Sequence, residues 1–356
     1  MVTIIAFAIA LFFAMNIGAS GAAASMGIAY GSGAVKWRKL ALLISALGIF
    51  VGAAIGGGAV MKTIGSGLIP TSIISIQLTV IILFGATLTL FIANLLGIPL
   101  STSEVTVGSV VGVGIAYNSV FFGSVLNIII WWIVIPIVAF MLAFLFGKIL
   151  IWSERTFPMI HQKKVYKWFV ILIIVAGFLE AFSAGMNNAA NAFGPLVGAG
   201  VITIQQGMLL GGLFVALGAL FLGGKVIETN GKKITNLSLL EGITISSTSA
   251  SLVIVASIFG IPIPMTQITT TGILGMGASK VGVSIFKRNI IKKIVTVWLV
   301  SPMFSLAISY GFVKLFLDDD VYTLVAIVSV LFATIGTMVL MKLTKRERER
   351  ILNDGK

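Results

Sequence analysis

The stretch Gly18-Ala-Ser-Gly-Ala-Ala-Ala-Ser-Met-Gly27 is echoed 167 residues later by Gly185-Met-Asn-Asn-Ala-Ala-Asn-Ala-Phe-Gly194. A second pair, Gly97-Ile-Pro-Leu-Ser-Thr-Ser-Glu104 and Gly260-Ile-Pro-Ile-Pro-Met-Thr-Gln267, repeats at an offset of 163 residues. A weaker pair, 57–63 and 223–229, repeats at 166 residues. Three matches in the same order at nearly one offset indicate that the chain contains two copies of one structural unit.

The composition predicts an all-α polytopic membrane protein. The 356 residues are 58% hydrophobic and only 10% charged, whereas a soluble domain carries about 25% charged residues. Apolar runs such as 73–96 and 125–146 are long enough to cross a bilayer as helices. There is no cysteine, which excludes disulfides, iron–sulfur clusters and thiol catalysis. We expect neither a cofactor nor a metal centre.

The positions of the basic residues predict the orientation in the membrane. The net charge of +13 comes from Lys and Arg that flank the apolar segments, which indicates a membrane topology and no nucleic-acid partner. With the N-terminus outside and the C-terminus in the cytoplasm of a bacterial cell, nearly all basic loops lie inside. We read the first segment as a transmembrane helix and not as a signal peptide. Eleven segments are predicted, at 2–34, 40–60, 72–96, 99–116, 120–147, 168–200, 206–224, 237–259, 262–279, 294–316 and 321–341.

Five segments precede the start of the second copy, so the second copy enters the membrane from the opposite face. Inverted repeats of this kind are typical of secondary transporters. We predict a first repeat at 1–150, a cytoplasmic linker at 151–167, an inverted second repeat at 168–318, and an extra helix with a basic tail at 319–356. Segments 99–116 and 262–279 are short and glycine-rich, so they either span the membrane or re-enter as hairpins.

The first repeated motif predicts an anion site. We expect its small and amide residues to unwind two membrane helices, because an unwound backbone in lipid is tolerated where it lines a cavity. Free N–H groups at a half-helix start, together with Asn side chains, would then bind an anion. The alternative is close helix packing by small residues. The candidate ligands are Ser20, Gly21, Asn187, Asn188 and Asn191.

The second repeated motif predicts two more helix starts that face the same ion. In each copy a proline precedes hydroxyl residues, and proline is well placed at a helix start. The alternative is a capping box in which Ser101 caps and Glu104 reaches back; both can hold together. The candidate ligands are Ser101, Thr102, Ser103, Thr266 and Thr269.

These motifs resemble those of the inorganic phosphate transporter (PiT) family, whose paired signatures run like G-A-N-D-A-A-N-x-x-G and G-[IV]-P-V-S-T-T-H. The resemblance covers about residues 10–280. It implies a dimeric symporter with inverted repeats and with the substrate held between the two halves.

The sequence departs from the family pattern at several positions. Gly21 and Asn188 replace the two family Asp residues, Ser20 and Ala24 replace Asn, and Glu104 and Gln267 stand where His is common. The strings from Met15 to Ser25 and from Leu96 to Gly108 resemble the bacterial sulfate permease branch, of the CysP type. Sulfate is fully ionised and only accepts hydrogen bonds, so a buried Asp would repel it. We therefore predict alternating-access import of sulfate, with phosphate, molybdate or thiosulfate as alternatives.

The coupling cation stays open between proton and sodium. The resemblance implies that the replaced Asp residues bind sodium, so that role is in doubt here. Acids inside a membrane are functional candidates, and the coupling-ion candidates are Asn16, Glu104, Glu180 and Gln267, with Glu228 and Glu241 weaker. An enzyme is not expected, because the chain has no Cys, one loop His and no P-loop. A passive anion channel is the remote alternative.

Overall fold

The computed structural model describes residues 1–95, 100–157, 162–233, 237–282, 288–323 and 325–326. Over these residues the secondary structure is helical, as predicted, with one short 3-10 turn at Thr71–Ile73. The helices are α1 Val2–Gly31, α2 Arg38–Gly56, α3 Gly58–Ser66, α4 Ile76–Leu95, α5 Thr102–Ala116, α6 Phe122–Thr156, α7 Lys163–Gly198, α8 Ile204–Lys233, α9 Leu239–Ile258, α10 Met265–Val281 and α11 Arg288–Phe316.

Within the described ranges, eight helices are long and apolar enough to cross a membrane, namely α1, α2, α4, α6, α7, α8, α9 and α11. Each of the first ten predicted segments corresponds to one helix, and the short α3 is an addition. Most of the eleventh segment, 321–341, lies outside the described residues, as do Pro99 and His161. The predicted count of eleven spans is therefore not confirmed.

Helices α5 and α10 are too short to cross. Their 15 and 17 residues correspond to about 22 and 26 Å, less than the roughly 30 Å of a hydrocarbon core. The Phe121 N–H, after α5, donates to the Leu68 carbonyl, before α4. Lys280 at the end of α10 pairs with Glu241 at the start of α9. Each pair of helices thus enters and leaves at one face, as a re-entrant hairpin whose tip lies inside the protein.

The predicted unwinding at the first motif is wrong, because α1 and α7 run unbroken through it. The glycines serve close packing instead. A Cβ atom on Gly18 would lie 1.9 Å from the Val215 carbonyl oxygen of α8. A Cβ atom on Gly185 would lie 2.0 Å from the Ile49 carbonyl oxygen of α2. The small residues thus let backbones touch, which is how helices associate where no hydrophobic force acts between them.

The two repeats interlock. The bounds of α4 and α9 correspond at the offset of 163 at both ends. Helix α1 packs mainly against α8, and its counterpart α7 packs against α2 and α9. Helix α6, from the first half, covers α10, and α11, from the second half, covers α5. Neither half therefore has a core of its own, and the boundaries at 1–150 and 168–318 describe sequence units that fold together.

Contacts between helix ends place the predicted basic loops on one face. Arg38, at the start of α2, pairs with Glu228 of α8 at 2.6 Å. Lys280 pairs with Glu241, and the position next to Lys148, Gly147, packs against Ser279. Glu228 and Glu241 therefore serve ion pairs at helix ends. The loop at 117–121 lies on the opposite face, since Phe121 bonds to Leu68.

Candidate functional site

The tips of both re-entrant hairpins meet at one residue of α7, Asn187. Its Oδ1 accepts from the Ser103 hydroxyl at 3.1 Å and from the Ile263 N–H at 3.2 Å. Its Nδ2 donates to the Ser257 hydroxyl at 3.1 Å and to the Ile261 carbonyl at 3.2 Å. The side chain is fully buried. Asn187 thus holds the start of α5 and the segment before α10 on the same turn of α7.

The next residue, Asn188, touches both helix starts from a more open position. Thr102, the first residue of α5, donates from Oγ1 to Asn188 Oδ1 at 3.3 Å. Asn188 Nδ2 faces the sulfur of Met265, the first residue of α10, at 3.4 Å. Asn188 and Thr102 are both half-buried. Because a thioether is a weak acceptor, the Asn188 N–H groups keep capacity to bind a ligand.

Asn191 lies one turn further along α7 and positions both groups. Its Nδ2 donates to Thr102 Oγ1 at 3.1 Å, to Ser103 Oγ at 3.2 Å and to Asn188 Oδ1 at 3.4 Å. Its Oδ1 is buried and has no hydrogen-bond partner among the described residues. The three asparagines and the two hydroxyls of Thr102 and Ser103, which we call the asparagine cluster, therefore form one connected network.

The electrostatics of the asparagine cluster favour an anion. A helix N-terminus carries about half a positive charge and free N–H groups, and the N-termini of α5 and α10 converge here. The side chains of the cluster are neutral, and within the described ranges none of its hydrogen bonds involves an acid or a base. Two like dipole ends that face one point without a carboxylate are best satisfied by a bound anion.

Glu104 and Gln267, which occupy equivalent positions in the two repeats, bond directly to each other. Gln267 Nε2 donates to Glu104 Oε1, and the Ser301 hydroxyl of α11 donates to Oε2 at 2.5 Å. Ser101 does cap α5 by accepting from the Glu104 N–H at 3.5 Å. The reciprocal half of the predicted capping box is absent, since the Glu104 carboxyl is engaged elsewhere. Glu104 thus joins α5, α10 and α11.

Replacing Glu104 with alanine is expected to destabilise the protein by about 2–5 kcal/mol, because Gln267 and Ser301 would each keep a buried polar group without a partner. Glu104→Gln preserves an acceptor for Gln267 and should remain close to wild type. The thermal unfolding midpoint in detergent measures the difference. Equal midpoints for the Ala and Gln variants would show that the link between the hairpins contributes nothing.

A large cavity of about 690 Å³ lies beside this link, between α5, α6, α10 and α11. Glu104, Gln267 and Thr271 contribute polar groups at its wall. The remaining lining is aliphatic or aromatic, including Val107, Val111, Trp132, Ile133, Phe140, Leu274, Trp298 and Leu306. A small anion would lose its hydration there without replacement, so this cavity is not the anion site.

The residues of α1 do not join the asparagine cluster. Ser20 donates to the Ile17 carbonyl at 2.9 Å and Asn16 to the Phe12 carbonyl at 2.9 Å, both within α1. A Cβ atom on Gly21 would meet only the Ile49 side chain, at 3.8 Å. In α10 the Thr266 side chain is exposed. Thr269 instead donates to Glu180 Oε1 at 3.3 Å, away from the asparagines.

Sequence reasoning missed Ser257, Ser301 and the backbone at Ile261 and Ile263. The two serines lie in helices that are otherwise apolar, and a single serine there gives no signal of its partner. The backbone groups beside Asn187 carry no signal in the residue type. Only the hydroxyl run of α9, Ser246-Ser-Thr-Ser-Ala-Ser251, could have indicated that this helix also faces polar groups.

Comparisons with known proteins agree with this arrangement. The model of the phosphate transporter family matches residues 17–309. The chain is 52% identical to the sulfate permease CysP of Bacillus subtilis (strain 168), over 97% of each chain. It is 29% identical to a putative phosphate permease of Pyrococcus abyssi, over 82% of this chain and 92% of that protein.

A solved structure described as the sodium-dependent phosphate transporter matches the fold with a TM-score of 0.76 and 26% identity, over 89% of this chain and all of that one. The predicted resemblance is thereby confirmed. The chain is a membrane transporter and not an enzyme, and it belongs to the phosphate transporter family.

Proposed function

We propose that the protein imports inorganic sulfate, coupled to a cation, by alternating access between its two interlocked repeats. The observation that carries this proposal is the convergence of two helix N-termini on a neutral asparagine cluster inside a membrane protein. The partly accessible groups there, Thr102 and Asn188, would contact the ion, and Asn187 and Asn191 would hold the helix starts in place. Ser101, Ser103, Thr266 and the α1 residues Ser20 and Gly21 contribute only where the transport cycle brings them to the ion.

Sulfate is favoured over phosphate by the absence of a carboxylate in the asparagine cluster. Phosphate at neutral pH still carries a proton that it can donate to a carboxylate, whereas sulfate can only accept hydrogen bonds. Asn188 offers an amide where the resemblance places an Asp. The 52% identical relative is named a sulfate permease, which supports the same choice. The phosphate relatives and the phosphate transporter structure keep phosphate as the second candidate.

Coupling to a cation follows from the energetics of a dianion. One charge moved against the membrane potential costs about 2.3 kcal/mol per 100 mV, so sulfate entering a negative-inside cell costs roughly twice that. Two co-transported monovalent cations cancel this electrical cost, and more would concentrate the ion. The one face that collects Arg38, Lys148 and Lys280 is then the cytoplasmic face of the cell membrane, by the positive-inside rule. The homodimer that the resemblance implies belongs to the same proposal.

Uptake into proteoliposomes tests the function. Purified protein should accumulate radioactive sulfate above the external concentration when a proton or a sodium gradient is imposed. Unlabelled sulfate should compete better than phosphate or molybdate. Uptake that only equilibrates would indicate a passive channel, and stronger competition by phosphate would make phosphate the substrate.

Restoring the two family carboxylates tests the basis of selectivity. In the double variant Gly21→Asp with Asn188→Asp, sulfate uptake is expected to fall about 10- to 100-fold, because a buried carboxylate beside the dianion replaces a donor with a repulsive charge. Phosphate competition should strengthen. The single variants separate Asn188, which lies in the asparagine cluster, from Gly21, which does not. Unchanged selectivity in all three would refute the argument from charge.

A further inference from the structure

A second polar site lies in the second repeat, around Glu180 of α7. The side chain is almost completely buried, at 1% exposure, and it forms no ion pair among the described residues. The Thr269 hydroxyl of α10 donates to its Oε1 at 3.3 Å. An acid buried inside a membrane without a cationic partner is costly, and such groups mark ion or proton pathways.

Hydroxyl groups from two other helices surround the same carboxyl group. Ser246 and Ser249 of α9 lie next to it, and Ser249 Oγ is 3.4 Å from Thr269 Oγ1. Ser246 Oγ and Glu180 Oε2 are both buried, yet neither has a hydrogen bond of ordinary geometry among the described residues. Two unpartnered oxygen atoms side by side, next to two further hydroxyls, leave room for one small cation.

The first repeat shows that packing does not require these polar groups. At the repeat offsets of 167 and 163, Glu180 corresponds to Phe13, Ser246 to Leu83 and Ser249 to Ala86, and these three are fully buried. Only Thr269 has a polar counterpart, Thr106. The same place in the fold is thus filled with apolar side chains in one repeat and with an acid and two serines in the other. The polar set therefore serves a purpose other than the core.

The Glu180 site lies close to the asparagine cluster on one helix face. Seven residues separate Glu180 from Asn187, which is two turns or about 10 Å along α7. Thr269 belongs to α10, whose start contacts Asn188 through Met265. An event that changes the bonding of Glu180 to α10 would therefore be felt at the helix start that faces the anion.

The charged groups of the helices packed around α7 are engaged elsewhere. Glu241 of α9 pairs with Lys280 of α10, and Arg38 of α2 pairs with Glu228 of α8. Glu104 of α5 is bonded to Gln267 and Ser301. Among the acids that the sequence offered for coupling, Glu180 is the buried one that keeps an oxygen atom unpartnered.

We infer that Glu180, Ser246, Ser249 and Thr269 form the site of the coupling cation, a single proton or sodium ion, present in the second repeat alone. The inference rests on the proposed function. The cation neutralises the carboxylate within two helical turns of the dianion, and α10 connects the two sites. Oxygen ligands of this kind suit a proton on the carboxyl group or a sodium ion between the carboxylate and the hydroxyls.

The test separates accumulation from exchange in proteoliposomes that contain the variant Glu180→Gln. Exchange of internal unlabelled for external radioactive sulfate needs no net cation movement and is expected to persist. Accumulation driven by an imposed gradient is expected to fall, since the loss of one coupled cation lowers the accumulation that 100 mV supports about 50-fold. The matched control Glu228→Gln removes an exposed acid and should accumulate sulfate like wild type.

A second variant covers the case in which Glu180→Gln does not fold. The double variant Ser246→Ala with Ser249→Ala introduces apolar residues of the kind that the first repeat tolerates. It should raise the concentration of the driving cation needed for half-maximal uptake about three- to tenfold. Imposing a sodium gradient at equal pH, and a pH gradient without sodium, identifies which ion is affected. Sulfate stays a dianion throughout, so a pH effect reports on the protein.

The outcomes separate the two proposals. Wild-type accumulation in Glu180→Gln, an unchanged cation dependence in the serine variant, or equal loss of exchange and accumulation would overturn the cation site. Wild-type vesicles that neither accumulate nor exchange sulfate would instead refute the proposed function.

Discussion

Asn191→Ala is expected to reduce sulfate uptake by about 10- to 150-fold while the protein is still produced and inserted. Asn191 donates to Thr102, Ser103 and Asn188, so its loss frees the start of α5 and the amide beside it. A misplaced hydrogen bond to a charged ligand is worth about 1.5–3 kcal/mol, which corresponds to that range of affinity. Initial uptake rates at several sulfate concentrations measure the effect, which should appear as weaker apparent affinity.

Asn127→Ala is the matched control for this experiment. Asn127 lies near the start of α6 with an exposed side chain, so the same truncation should leave uptake unchanged. Wild-type transport by the Asn191 variant would remove the asparagine cluster from the anion site. An equal loss in both variants would point to a general sensitivity of the fold to truncation.

Gly18→Ala is expected to destabilise the protein by about 3 kcal/mol or more, the upper range for overpacking. The added methyl group would meet the backbone oxygen of Val215 at 1.9 Å, and a backbone in a packed helix cannot move aside as a side chain can. Helices α1 and α8 would have to separate. The yield of monodisperse protein and the thermal unfolding midpoint in detergent measure this loss.

Gly21→Ala, one turn further along α1, supplies the comparison. A methyl group there finds its nearest neighbour, the end of the Ile49 side chain, at 3.8 Å, so the midpoint should stay near wild type. If the glycines acted by unwinding α1, both substitutions would rigidify the same stretch and have similar effects. A tolerated Gly18→Ala together with a damaging Gly21→Ala would contradict the packing role.

The architecture could be predicted from the sequence because it depends on length and repetition. The short segments 99–116 and 262–279 gave helices α5 and α10, which cannot cross by length alone. The offset of 163 that relates Glu104 to Gln267 also relates the helix bounds of α4 and α9. Which of the two readings of a short segment holds, span or hairpin, needed the contact between Phe121 and Leu68.

The local geometry could not be predicted, because one residue type serves several purposes. Gly18 and Gly185 are compatible with an unwound helix and with close packing, and only the distance to the neighbouring carbonyl decides between them. Asn187 was expected to bind the ion, yet its four hydrogen bonds hold the hairpin tips. The serines of α9 acquire meaning only when α7 brings Glu180 beside them, since contacts between distant segments leave no local pattern.

The most direct test of the central claim, that the anion lies where the starts of α5 and α10 meet α7, is a crystal structure with bound selenate. Selenate is a tetrahedral dianion like sulfate, and its selenium is located by anomalous scattering. The account predicts a peak within hydrogen-bonding distance of Asn188 and Thr102, between the two hairpin tips. A peak confined to the basic face near Arg38 and Lys280, or to the apolar cavity beside Glu104, would contradict it.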